Sequence, residues 1–157
     1  MQYQLEIFLT KFNDQQITYK QVILDITGKT ENPDDLVLLS IQKFNSEIIQ
    51  KNRLISHSTS WRYDKASESV IITYIVYSDD FDFTESKSLN IADINFVSSD
   101  NLSKPAPENI TPENVVSHGI RHLSYLVANR QDVYKAVLSD DTLNMFAKID
   151  KEFAGKI

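Results

Sequence analysis

The chain contains no cysteine in its 157 residues. This absence excludes disulfides, thiolate nucleophiles and cysteine-ligated zinc or iron–sulfur sites. It also suits a reducing compartment, and residues 1–6 have neither the basic nor the apolar region of a secretory signal, so we expect a cytoplasmic protein. No apolar run approaches the ~20 residues that cross a bilayer, and no membrane segment is expected.

Glycine is almost as scarce, with only Gly28, Gly119 and Gly155 in the chain. Neither a dinucleotide-binding glycine loop nor a phosphate-binding P-loop can be formed from these three, and no cofactor is predicted. The sequence also lacks the G-x-S-x-G serine elbow and the H-E-x-x-H zinc motif. The enzyme classes that these motifs mark are therefore not indicated.

Basic residues are outnumbered, with 16 Lys and Arg against 22 Asp and Glu and a formal net charge of −6. Nucleic-acid binding depends on clustered cations that displace counterions from phosphates. We therefore expect no nucleic-acid partner, and we attribute the acidic balance to solubility. A local basic pocket is still compatible with this charge, since net charge does not describe a single site.

Alternating apolar residues predict the strands of the fold. Segments 3–12 and 17–26 form a first pair, although a short helix is an alternative for the first segment. Segments 54–63 and 69–78 form a central hairpin. The second of them is apolar at both its odd and its even positions, so both of its faces are expected to be covered, which predicts a position inside the sheet. A weaker alternation between residues 89 and 96 allows one further strand.

Capping residues mark the predicted helices. Asn32 and Pro33 begin the first helix, which we expect to continue to about residues 52–53, and Thr111 and Pro112 begin the second. Ser139 begins the last, after a short helical turn around residues 132–138. The apolar stripes are Val37, Ile41, Phe44 and Ile48 in the first helix, Val116, Ile120, Leu123 and Val127 in the second, and Thr142, Phe146, Ile149 and Phe153 in the last.

This order of elements predicts the α+β class. We expect a small antiparallel or mixed sheet of about four to five strands, with one helix after the first two strands and two to three C-terminal helices packed on it. Residues 98–112 hold three of the four prolines and are predicted to be an irregular crossover. The chain is short enough for residues 1–157 to form a single domain.

The second helix carries the least ordinary feature, His118 and His122 four residues apart on one face with Arg121 beside them. Two imidazoles at this spacing can share a metal, and His57 is a candidate third ligand. No metal is predicted, because Gly119 stands where zinc proteases carry a glutamate base. On a helical wheel the two histidines lie almost opposite the apolar stripe, so a solvated polar face competes with an interface or ligand site.

The first strand of the central hairpin carries the second candidate group, made up of His57, Ser58, Ser60, Trp61 and Arg62. Strict alternation sends His57, Thr59, Trp61 and Tyr63 to one face, and it sends Ser58, Ser60 and Arg62 to the other. Its hydroxyls are unusual beside a buried strand, because buried polar groups require hydrogen-bond partners. The simpler interpretation is an edge strand with solvated serines.

Two functions are compatible with these residues. The first is a small binding or assembly protein without catalysis, with a second copy of the chain as its expected partner. The second is an enzyme or binding protein for a small anionic ligand, in which Arg62 and Arg121 act as a clamp, assisted by Ser58, Ser60 and the histidines. We favour the first, because the sequence contains no complete catalytic set.

Overall fold

The computed structural model of the protein describes residues 1–28, 31–94 and 109–149. These residues form a five-stranded mixed sheet in the order β3-β4-β1-β2-β5. The strands are β1 (Gln2–Asn13), β2 (Gln16–Ile26), β3 (Ile55–Asp64), β4 (Ser69–Tyr77) and β5 (Lys87–Asn90). β1 is parallel to β4, whereas β1–β2, β3–β4 and β2–β5 are antiparallel. The predicted α+β class is confirmed, and β4 lies inside the sheet as expected.

Helices pack on both faces of this sheet. They are α1 (Pro33–Phe44), α2 (Ser46–Gln50), α3 (Pro112–Asn129), α4 (Gln131–Tyr134) and α5 (Asp140–Ala147). A single 3₁₀ turn (Ile91–Asp93) follows β5. Within the three described ranges, no helix combines the length and the apolarity that crossing a membrane requires.

The alternation of side chains along the strands divides the core into two clusters. On one face of the sheet, called the α1 face, residues of β1 and β4 such as Ile7 and Val76 pack with Val37 of α1 and Ile48 of α2. On the other, called the α3 face, the buried cluster is Phe8, Ile17, Tyr19, Ile55, Ile75, Tyr77, Val115, Val116, Ile120, Leu123, Val127, Leu138, Phe146 and Ile149. The predicted stripe of α3 is therefore in the core.

The predicted helix starts are confirmed by their hydrogen bonds. The Asn32 side chain accepts from the Asp34 backbone N–H at 3.1 Å. Thr111 and Asn114 form a reciprocal capping box at the start of α3, and Ser139 accepts from the backbone at the start of α5. These side chains satisfy N–H groups that have no partner inside the helix.

The first helix is shorter than predicted. It ends at Phe44, because Asn45 is extended and caps the separate helix α2. Phe44 is 41% exposed, with the Lys20 ammonium 5.1 Å from its ring centre, whereas Ile48 is buried on α2. Phe44 is therefore not part of the buried stripe that the sequence predicted.

The fifth strand begins earlier and ends sooner than predicted. It covers Lys87–Asn90 rather than residues 89–96, and Ile94 beyond it packs against the core of the α3 face. Most of the predicted crossover at residues 98–112 lies outside the described residues, as does Phe153 of the predicted last stripe.

Close packing fixes α3 against the sheet. A Cβ placed on Gly119 would lie 2.5 Å from Cδ1 and 3.0 Å from Cβ of Ile75 on β4, so only glycine permits this approach. On the side of α3 nearer α5, the Ser124 hydroxyl donates to the carbonyls of Phe146 and Ile149 at 2.8 and 3.2 Å. α3 is thus held by the sheet and by the last helix together.

Candidate functional site

A β-bulge in β3 decides which candidate side chains meet. Ser58 pairs with Tyr74 and Ser60 pairs with Thr73, so Thr59 is an extra residue between two consecutive partners. The Thr59 hydroxyl is directed at the Thr73 carbonyl at 3.4 Å. One extra residue reverses the alternation of every side chain beyond it.

The predicted division of β3 into two faces is therefore wrong beyond the bulge. His57 pairs with Ile75, Ser60 with Thr73 and Arg62 with Ile71, which places His57, Ser60 and Arg62 together on the α3 face. Ser58, Trp61 and Tyr63 lie on the α1 face. No sequence signal marks the bulge, because Thr59 stands in a run of similar hydroxyl residues.

The α3 face of β3 brings together all three histidines of the chain, His57, His118 and His122. The ring centres of His118 and His122 are 4.3 Å apart, and those of His57 and His122 are 5.7 Å apart. We call this group the histidine cluster. It joins α3 to β3, so the two candidate segments meet through His57.

Burial distinguishes this cluster from the solvated face that the helical wheel predicts. His122 is only 5% exposed, because β3 covers the side of α3 that lies away from the apolar stripe. Burial, followed by the nearby charges of His118, His57 and Arg121, lowers the pKa of His122 to about 4. Burial and then His118 lower the pKa of His57 as well. The two imidazoles are therefore neutral at pH 7.

Arg62, also on the α3 face, forms an ion pair that the sequence did not indicate. Its Nη1 and Nη2 atoms donate to the two oxygens of Glu6 on β1, at 2.8 and 3.0 Å. Thr73 and Gln21 also donate to this carboxylate, each at 2.9 Å. The Glu6 side chain is only 5% exposed. Its position between Leu5 and Ile7 in a strand pattern is the signal that could have identified it.

The proposed partner of Arg62 in the anion clamp was Arg121. The charge of Arg121 acts on His122, whereas Arg62 is held by Glu6 and Thr73. The Arg62–Arg121 clamp stays a prediction, in which Arg62 would have to exchange its existing carboxylate partner for a ligand.

The opposite face of β3 is exposed. Trp61 is 73% accessible to solvent, Tyr63 is 50% accessible, and Tyr3 of β1 is 45% accessible. Tyr63 and Tyr3 both pair with Val70 of β4, so these rings stand on one face at the same end of the sheet. Trp61 and Ser58 line a shallow groove of about 380 Å³ with Thr59, Ser60, Val70 and Ile72. We call Tyr3, Trp61, Tyr63, Val70 and Ile72 the aromatic surface.

A second group of hydrogen-bonded polar side chains surrounds Asp79, which follows directly after the end of β4. The Tyr77 hydroxyl donates to Asp79 at 2.9 Å, Thr142 of α5 also donates to Asp79, and the Ser139 backbone N–H donates to its other oxygen at 3.0 Å. Burial is the main cause that raises the pKa of Tyr77. Asp79 thus joins α5 to the end of β4.

Two phenylalanines, Phe81 and Phe83, follow Asp79 in the segment after β4. Phe81 is 2% exposed, Phe83 is partly buried beside it, and their rings stack at 5.4 Å between centres. Both rings therefore pack in the core of the α1 face.

In the part of the chain that the structure describes, no group of three or more His, Asp or Glu side chains has an arrangement that could hold a metal ion. Comparisons with known proteins add no family to this description: no protein-family model matches the chain, and no curated protein is significantly similar to it.

Proposed function

We propose that the protein is a non-catalytic assembly protein that binds another protein chain through the aromatic surface and the adjoining outer edge of β3, and that its partner is a second copy of the same chain. The observation that carries this proposal is the 73% exposure of Trp61, the only tryptophan of the chain, on an outer strand.

Tryptophan and tyrosine dominate the energetics of protein interfaces, because they bury roughly 150–250 Å² each on contact. On this surface their neighbours Val70 and Ile72 supply apolar area at the floor of the groove. A partner that covers Trp61 would therefore remove a large apolar area from water, which is the main source of association free energy.

The edge of β3 supplies the second requirement, directional contacts. None of the other described strands pairs with this ten-residue edge, which leaves backbone donors and acceptors available for strand addition. Two copies of one edge strand can pair antiparallel about a two-fold axis. Each copy then places its own aromatic surface beside the interface between the two β3 strands. This symmetry favours a second copy over an unrelated chain.

The anion-binding alternative has less support. Both Nη atoms of Arg62 already donate to Glu6. Ser58 lies on the α1 face, where it is the strand partner of Tyr74, so it stands on the opposite side of the sheet from the histidine cluster. The predicted ligand-binding residues are thus divided between two faces.

Light scattering coupled to size exclusion tests the proposal on the full chain, over a concentration range of about 1 to 200 μM. The wild-type chain is expected to dimerise, and Trp61→Ala is expected to weaken the dimer at least tenfold. Leu39→Ala is the matched control, because Leu39 is 54% exposed on α1, and it should leave the dimer unchanged. A wild-type monomer throughout this range, or equal loss in both variants, contradicts the proposal.

A further inference from the structure

We propose that the histidine cluster is a pH-sensitive latch that holds α3 against β3 at neutral pH and releases this contact in mildly acidic solution. The inference concerns the α3 face of β3 and does not depend on the proposed self-association through the opposite face.

The geometry of the cluster makes it sensitive to charge. Neutral imidazole rings pack at the observed separations of 4.3 and 5.7 Å without electrostatic cost. Two imidazolium rings at these distances repel each other, and the repulsion is stronger where water is excluded. His122, at 5% exposure, is at the centre of the cluster and contacts both other rings.

The described charges around the cluster lie on α3, β3 and β1. Among the described residues, the charges that act on His122 come from His118 and Arg121 on α3 and from His57 on β3, and none of these is a carboxylate. His118 is the group that acts on His57. Glu6 on the neighbouring part of the sheet already pairs with Arg62. With respect to these described groups, protonation of His122 adds a positive charge close to Arg121.

The direction of the pH dependence follows from the lowered pKa values. An unfolded histidine has a pKa of about 6.5. Burial is the main cause that lowers the folded pKa of His57, and it lowers that of His122 to about 4. The folded cluster therefore binds fewer protons than the open one, so its contribution to stability is complete above pH ~6.5 and is lost as the pH falls toward ~4.

Other parts of the α3 contact are independent of pH in this range. Gly119 packs on Ile75, and Ser124 donates to α5, and neither contact contains an ionisable group. Release is therefore expected to be local, at the β3 side of α3, while β1 and β2 stay paired.

NMR on the wild-type chain tests the latch directly. Imidazole signals followed from about pH 8 to 4 should show His57 and His122 titrating below ~6.5, with His122 lowest. Amide exchange rates, corrected for the intrinsic effect of pH, should show about tenfold loss of protection near His122 at pH ~5 relative to β1. Titration of both rings at or above ~6.5, or equal loss of protection in β1, overturns the proposal.

A variant supplies the second arm of the test. The double variant His57→Gln, His122→Gln removes both titrating rings, while the carboxylates of the chain continue to titrate. The wild-type melting temperature should fall by about 5 °C more than that of the double variant between pH ~7 and ~5. Equal falls in the two proteins contradict the latch, and if the double variant does not fold, the wild-type titration alone decides.

Discussion

The two faces of β3 differ in whether their side chains are paired and packed or exposed to solvent. On the α3 face, Arg62 donates to a buried carboxylate and His57 packs against His122. On the α1 face, Trp61 is 73% exposed beside a shallow groove. An outer strand can therefore be structural on one face and available for binding on the other, and in this chain the extra residue Thr59 determines which side chain has which role.

This difference between the two faces of β3 predicts that substitutions on them reduce folding stability by different amounts. On the α3 face, removal of a side chain leaves a buried polar partner without its hydrogen bonds, which is expensive. On the α1 face, removal of Trp61 leaves a surface that water already reaches, and such changes usually alter stability by less than about 0.5 kcal/mol. Substitutions on each face of β3 therefore test this difference.

The largest effect is expected for Arg62→Ala. This change leaves the Glu6 carboxylate, which is 5% exposed, with Thr73 and Gln21 as its remaining donors. We expect the free energy of unfolding to fall by about 3 kcal/mol, because an unpaired buried charge costs more than the ion pair contributes. Urea denaturation of the variant and the wild type measures this difference.

The matched control removes both charges together. The double variant Glu6→Gln, Arg62→Met leaves no unpaired ion at this position, so it should recover more than half of the stability lost by Arg62→Ala. A loss below about 0.5 kcal/mol in Arg62→Ala would show that the α3 face of β3 tolerates substitution as an exposed face does, which contradicts a structural role for this face.

A smaller loss is expected for Gly119→Ala, which tests how closely α3 approaches the sheet. The added Cβ would meet Cδ1 of Ile75 at 2.5 Å and its Cβ at 3.0 Å. Overpacking of this kind costs about 1–3 kcal/mol, partly offset by about 1 kcal/mol from the higher helix propensity of alanine. Thermal unfolding followed by circular dichroism should show a lower melting temperature.

Ile75→Val supplies the control for this contact, because it removes the Cδ1 atom that the new methyl group meets. The penalty of Gly119→Ala should be smaller in the Ile75→Val background than in the wild type. Equal penalties in the two backgrounds would mean that α3 does not pack on Ile75 as closely as the structure shows.

The sequence predicted most of the fold because its signals are local. Alternating apolar residues marked β1 to β4, and side-chain caps at Asn32, Thr111 and Ser139 marked the starts of α1, α3 and α5. The break at Asn45 was missed because its neighbours continue the apolar spacing across it. Local signals thus gave the elements, but not their exact ends.

The candidate site was less predictable, because it depends on register and on packing between distant segments. A helical wheel describes one stripe, and it placed His122 in solvent because it contains no information on β3. The Glu6–Arg62 pair joins residues 56 positions apart, so no local pattern shows it. The bulge at Thr59 follows from pairing with β4, which sequence alternation cannot detect.

The smallest effect, and the sharpest test of the bulge, is expected for deletion of Thr59. Deletion would leave Ser58 opposite Tyr74 and Ser60 opposite Thr73 with nothing between them, which is a regular ladder. Arg62 and Trp61 would keep their faces, and we expect a loss of only about 1 kcal/mol in the free energy of unfolding. Fluorescence of Trp61 should keep the emission and the quenching of an exposed indole.

The control for this deletion is the insertion of one alanine after Thr59. If β3 were a regular strand without a bulge, it would tolerate neither the deletion of Thr59 nor the insertion of the alanine. Each change would shift the strand by one residue, which would move Arg62 away from Glu6 and turn Trp61 toward α3. If β3 carries the bulge, the deletion is tolerated and the insertion is not. A deletion variant that unfolds, or that shields Trp61 from quencher, would show that β3 pairs with β4 without a bulge and that its faces are those predicted from strict alternation.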